Sequence, residues 1–196
     1  MLREGSEISR DSRTGDVLAE ILIQGSSAAT TVPVLASFAA PWPLASGTVF
    51  DVECRNPSTG DGAFLAVSSQ VKSNAIQDIP DSFFVEQLIG PKGRFSSYGT
   101  PTDVKIRSST TNGNYRTIDM SFSTLSQSTQ TELPRRARIV ATIPDGTRQA
   151  VMLVGSASLS RWNKSSKDTI LAVTDSFRAI PAPTSSLRLR AKERRS

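Results

Sequence analysis

The sequence contains no histidine and only one cysteine, Cys54. Without histidine it has no side chain whose ordinary pKa lies near neutrality. That removes most general acid–base pairs, most catalytic zinc sites and the usual pH switch. One cysteine permits no internal disulfide, so cysteine usage does not report the redox compartment. Aromatic residues make up 6% of the 196 residues. No apolar run approaches the about 18 residues that suggest a membrane-spanning helix. No Gly-x-Ser-x-Gly nucleophile elbow occurs, and Gly90-Pro91-Lys92-Gly93 lacks the spacing of a phosphate loop. That tetrapeptide reads as a tight turn.

What is present suits one domain with a buried core: apolar residues are 37% and charged residues 21% of the chain. The net charge of +5 is unevenly spread. Arg188, Arg190, Lys192, Arg194 and Arg195, with the single acid Glu193, give the last nine residues +4 and leave the rest of the chain near neutral. A nucleic-acid-binding face, the reading from a different functional class, would spread its basic groups over the body.

Patterning divides the chain. Residues 1–13 mix Arg3, Arg10 and Arg13 with Glu4, Glu7 and Asp11, and read as poorly ordered. Val17, Leu18, Ile21 and Leu22 recur at helical spacing, with Thr14 as N-cap and Gly25 beyond the last turn, which predicts a helix over 14–24. The uncharged, proline-dotted stretch 26–46 reads either as an extended linker on the domain surface or as a targeting remnant with a small-x-small site at Ser37-Phe38-Ala39. Residues 1–44 are thus expected to form an extension, 45–183 the domain, and 184–196 a basic tail.

From Gly47 the period becomes two, with a strand over Val49–Arg55. Phe50, Val52 and Cys54 alternate with Asp51, Glu53 and Arg55, and a second strand covers 63–71 after the turn 56–62. A hairpin pairs 102–108 with 115–123 across Asn112-Gly113, read as a type I′ turn. Another pairs 138–143 with 149–159 across Asp145-Gly146, and its run 150–154, apolar on both faces, predicts a central covered strand. Helices are expected over 81–89 and, capped by Ser165 or Ser166, over 166–177. The expectation is an α+β domain around a six-stranded antiparallel sheet.

Few residues offer chemistry. Asp51 and Glu53 share a strand face and supply two hard oxygen ligands for a weak Ca²⁺ contact, or a solvated face paired with Arg55 or Lys72. Cys54 falls on the apolar face, as a buried core thiol. Arg135, Arg136 and Arg138 are candidates for an anion-binding or partner surface together with Arg188, Arg190, Lys192, Arg194 and Arg195; the alternative is a charge-guarded edge strand. In the tail, Arg188 and Arg190 alternate with Leu187 and Leu189. Trp42 and Trp162 read as covers over the ends of the core or as interface anchors.

Four ordered segments carry a resemblance. The first is Phe50-Asp51-Val52-Glu53-Cys54-Arg55, followed by Thr59-Gly60-Asp61 and Ala63-Phe64-Leu65. The second is Gln87-Leu88-Ile89-Gly90-Pro91-Lys92-Gly93-Arg94-Phe95-Ser96-Ser97-Tyr98-Gly99-Thr100-Pro101. The third is Gly113-Asn114-Tyr115-Arg116-Thr117-Ile118 with Phe122-Ser123-Thr124-Leu125-Ser126, and the fourth Ser176-Phe177-Arg178-Ala179-Ile180-Pro181-Ala182-Pro183. The set resembles the PsbP family over about residues 45–190. The resemblance implies an α-β-α sandwich around an antiparallel sheet and a non-enzymatic protein of the chloroplast thylakoid lumen, peripheral to the membrane. It implies photosystem core subunits as partners, photosystem II and its oxygen-evolving complex first. An assembly factor or subunit of photosystem I or of the chloroplast NADH-dehydrogenase-like complex is the alternative. Family-level Ca²⁺ binding comes with it, but sites built on histidine do not transfer.

Overall fold

The computed structural model describes residues 7–27, 30–45, 52–126, 129 and 131–182. The fold is α+β, with two antiparallel sheets. The larger has six strands. These are β4 (Glu53–Arg55), β5 (Gly62–Gln70), β6 (Thr102–Asn112), β7 (Tyr115–Leu125), β8 (Glu132–Thr142) and β9 (Gln149–Ser158), in spatial order β4-β5-β9-β8-β7-β6. The three expected hairpins are present, β9 is central, and Val151, Met152, Leu153 and Val154 are fully buried from both faces.

The second sheet overturns the reading of the N-terminal third. Its strands are β1 (Glu7–Arg10), β2 (Asp16–Gln24), β3 (Thr31–Ala39) and, from the far end of the chain, β10 (Arg178–Pro181), in order β1-β2-β3-β10. Residues 14–24 are therefore not a helix, and 31–39 are neither linker nor targeting remnant. The run carries two periodicities at once. Val17, Leu18, Ile21 and Leu22 satisfy the helical spacing, while Val17, Ala19, Ile21 and Ile23 alternate. The alternating set is the buried one, and Leu18 is 45% exposed. β-Branched side chains and a matching partner, with Val34, Ala36 and Phe38 inward on β3, favour the strand. Pro33 is accommodated where β10 runs out. Its carbonyl accepts from the Ala182 N–H, so its missing donor points past the end of that strand.

The two sheets share one core, so the described residues of 1–44 do not stand apart as an extension. Val17, Ile21, Val34 and Phe38 pack with Leu65, Val151 and Leu153 of the large sheet. Helix α3 (Lys167–Asp175) adds Ile170 and Val173 to that layer, with Phe177 just beyond it, and Trp42 and Trp162 are buried in it as covers. The corner where β2 ends is tied to the β8–β9 turn, because Arg148 N–H donates to Gln24 O and Ser26 N–H to Gly146 O. The opposite face of the large sheet carries Ile118, Met120, Phe122, Ile139 and Met152 against helix α1 (Asp81–Ile89), which inserts Phe84, Val85 and Leu88. Each such fully buried side chain contributes about 1.5–3 kcal/mol by leaving water.

Two local expectations change. The β6–β7 hairpin pairs Asn112 with Tyr115, so its loop residues are Gly113 and Asn114. Gly113 has φ +57° and Asn114 does not share the positive sign, which is the type II′ rather than the type I′ pattern. Ser166 does not cap α3 with its side chain; its hydroxyl donates to Asp61 at 2.6 Å. A short helical turn, α2 (Leu159–Arg161), and a π-helical segment, Trp162–Ser166, lead into α3 instead. Gly155 of β9 lets α3 lie directly on the sheet, since a Cβ there would meet Ile170 Cγ2 at 2.8 Å.

Candidate functional site

Strand alternation separates the three neighbouring arginines of β8. Ala137, Ile139 and Ala141 face α1, so Arg135 lies on that face and Arg136 and Arg138 on the other. Arg136 sits over the Trp162 ring at 5.6 Å, and Arg138 pairs with Asp175 of α3 at 3.0 Å. Both are thereby engaged within the fold. The sequence grouping of Arg135 with Arg136 and Arg138 does not survive as one surface. Arg188, Arg190, Lys192, Arg194 and Arg195 lie outside the described residues.

Arg135 lines a pocket of about 260 Å³ at the end of the large sheet. The floor is made by Phe64 and Gly62 of β5, Thr124 and Leu125 of β7, and Ser156 of β9. Beyond α1, the chain returns over this end as a 3₁₀ turn, Arg94–Ser96. Phe95 anchors that turn, lying 5.8 Å from Phe64 edge-to-face and 4.5 Å from Phe122. Gly93 is required just before it, because a Cβ would fall 2.2 Å from Leu88 O. Ser97 fixes the outgoing chain through Arg94 O at 3.0 Å. Tyr98, 62% exposed, and Gly99 form the outer wall.

Three guanidinium groups, Arg55, Arg94 and Arg135, line this pocket against one carboxylate, Glu53. Glu53 pairs opposite Phe64 in the β4–β5 register and is buried, 4% exposed. Its two oxygens accept from Arg94 at 2.9 and 3.1 Å. It is thus not a solvated face paired with Arg55 or Lys72, and the carboxylate offered to Ca²⁺ is already held by a cation. Asp51, its sequence partner for a metal, lies outside the described residues. Among the described residues, no three acidic or cysteine side chains gather where an ion could bind.

Arg135 differs from Arg94. Its Nη2 donates to Ser156 Oγ at 3.1 Å, its Nε is buried without a hydrogen-bond partner, and among the described residues no carboxylate lies within ion-pair distance. Burial pushes this guanidinium below its ordinary range; Asp61 opposes that and Arg94 adds to it. Asp61 itself is buried and engaged on its Oδ2 by Arg161 at 2.7 Å and Ser166. Cys54, on the other face of β4, is fully buried as expected, and burial raises its thiol to about 11.

Segments around Tyr115 and Phe177 meet elsewhere. Tyr115 Oη accepts from Ala179 N–H at 3.2 Å, its ring stands edge-on to Phe177 at 6.2 Å, and Arg178 lies over it at 5.9 Å. Arg116, next to it, donates to Asp81 at the start of α1 and to the carbonyls of Ile76 and Gln77. Sequence reasoning singled out neither Arg94 nor Arg116 as functional or structural. The sole sign of them was their place inside the quoted motifs.

No family model and no curated protein matches the chain. Among solved structures it is similar to LpqN, described as involved in cell envelope biogenesis of Mycobacterium tuberculosis. That match has 10% identity and a TM-score of 0.33, and covers 92% of this chain and 82% of that one. So distant a likeness carries no argument about fold or function. Among the described residues, no helix is long and apolar enough to cross a membrane.

Proposed function

We propose that this chain is a non-enzymatic, PsbP-like accessory protein that docks peripherally on a photosynthetic membrane complex in the thylakoid lumen, photosystem II first. The observation that carries the reading is convergence. Segments separated by tens of residues carry the resemblance, and three of them supply most of one pocket. Glu53, Arg55, Gly60 and Phe64 come from the first, Arg94, Phe95, Tyr98 and Gly99 from the second, Thr124 and Leu125 from the third. The pocket sets three guanidinium groups and one carboxylate beside aromatic, apolar and hydroxyl side chains, an arrangement that suits recognition.

The test is fractionation of thylakoid membranes with the tagged chain, followed by identification of the complex with which it elutes. Elution with a photosystem core, weakened as salt rises, supports the proposal. Elution with photosystem I or the NADH-dehydrogenase-like complex selects the alternative partner. Recovery with nucleic acid, with a steep salt dependence of binding to generic DNA, would replace it with the other functional class. A truncation removing 188–196 tests whether the basic tail contributes to retention at low salt.

A further inference from the structure

We infer that the pocket around Arg135 is a binding site for a carboxylate attached to an apolar body of side-chain size, with Arg135 as the carboxylate's partner. This deepens the docking proposal and rests on it for biological purpose, but not for its chemistry. Three observations carry it. First, Arg135 is a half-buried cation with one neutral hydrogen bond and, among the described residues, no carboxylate within ion-pair distance, Asp61 acting on it only from further away, and a guanidinium in such surroundings is incomplete until an anion is supplied. Second, the cation beside it is not available to neutralise anything else: Glu53 occupies Arg94, so the excess positive charge at the wall rests on Arg135 and Arg55. Third, the lining is mixed: Phe64, Phe95, Tyr98 and Leu125 set apolar and aromatic surface beside the polar groups of Glu53, Thr124 and Ser156. A space of about 260 Å³ admits one side-chain-sized group and is below the usual range for a drug-sized ligand. A planar guanidinium presents paired donors that match a carboxylate, and the aromatic and apolar side chains beside it give an attached hydrocarbon a contact that a fully hydrated inorganic anion lacks.

Two sources share this chemistry, a free organic acid and the terminal residue of a peptide. The probes are 3-phenylpropionate, a short peptide ending in phenylalanine with a free C-terminus, and the same peptide with an amidated C-terminus, each titrated by calorimetry into the full chain. The expected result is saturable binding of the two acids and at least tenfold weaker binding of the amide. A tighter peptide assigns the site to a chain terminus, and equal affinity of the two acids assigns it to a free acid. Arg135→Gln should weaken the acids at least tenfold, and Arg135→Lys should lose less. Leu125→Glu places a negative charge at an exposed mouth position, so it should weaken binding several-fold even if the Arg135 variants fold poorly. Arg148→Gln, an exposed arginine in the β8–β9 turn, should leave affinity unchanged. Equal binding of acid and amide, displacement by inorganic phosphate at lower concentration than by 3-phenylpropionate, or no saturation by any probe at 10 mM would overturn the assignment. Carboxylate binding that survives alongside a failure to co-elute with any thylakoid complex would sink the docking proposal alone.

Discussion

Two arginines on the α1 face of the same sheet meet opposite fates. Arg116, on β7, is 9% exposed and donates to Asp81, Ile76 O and Gln77 O. Arg135, on β8, is desolvated too, but has a single serine hydroxyl as partner. Both leave Nε unpaired, so the difference lies in the carboxylate. Arg116 ties the N-terminus of α1 to the hairpin β6–β7, closing a gap in the fold. Arg135 has no salt-bridge partner among the described residues, only a serine hydroxyl and the more distant Asp61. A cation whose partners are all internal holds structure together. One whose strongest partner is missing is a place where the fold gives up stability and can recover it by binding.

The sharpest way to break this contrast is to remove each cation in turn. Arg116→Ala should destabilise the chain by about 3–5 kcal/mol, because Asp81 and two carbonyls lose their shared donor inside the protein. Denaturant melts measure this, and a loss below about 1 kcal/mol would show that Arg116 is replaceable by water.

A third ionisable group sharpens the comparison by avoiding charge altogether. The Cys54 thiol is held up at about 11 by burial, with nearby Arg10 opposing and Glu53 adding. In the unfolded chain it ionises near 9. The folded value is raised, so the neutral thiol stabilises the fold fully below pH 9 and that contribution fades as pH rises towards 11. The loss across that window is about 2–3 kcal/mol at one pKa unit per 1.36 kcal/mol. Cys54→Ala should remove this part of the alkaline slope, and an unchanged slope would place the titration elsewhere.

Arg135→Gln should change stability by less than about 0.5 kcal/mol in either direction, because it removes a desolvated charge together with only one hydrogen bond. A loss as large as that of Arg116→Ala would erase the distinction drawn here and make Arg135 structural.

The large sheet was legible because β7 alternates, β9 is a continuous apolar run, and its turns carry glycine at the bends. Ile118, Met120 and Phe122, and Gly113 with φ +57°, are examples. The small sheet was not, because β2 fits two periodicities and β3 contains Pro33; long-range pairing with β10, some 140 residues away, decides the outcome. The site was half legible. Alternation alone places Arg135 opposite Arg136 and Arg138, yet no local pattern announces that Arg94 crosses to Glu53 from 41 residues away. Which arginine keeps a carboxylate is settled by tertiary geometry.

The smallest effect concerns an acid on the small sheet that, like Arg135, has no salt-bridge partner among the described residues. Glu7 and Glu20 stand directly opposite in the β1–β2 register, and Glu20 Oε1 is buried without a hydrogen bond. Burial first, and Glu7 second, raise the Glu20 carboxyl above 4.5. The protonated form therefore supports the pairing fully below pH 4.5, and that support is lost as pH rises through the raised value. At neutral pH, two like charges face each other across a strand pair, a mismatch worth about 0.2–1 kcal/mol, and solvent screening at this partly exposed position keeps it near the lower end. Glu20→Gln should accordingly stabilise the chain by a few tenths of a kcal/mol, on the order of that lower bound, at pH 7, and by nothing measurable below pH 4.5. Parallel denaturant melts at the two pH values test this. A gain of equal size at both would mean that the glutamine acts through packing or β-propensity, and that β1 is held against β2 without regard to charge.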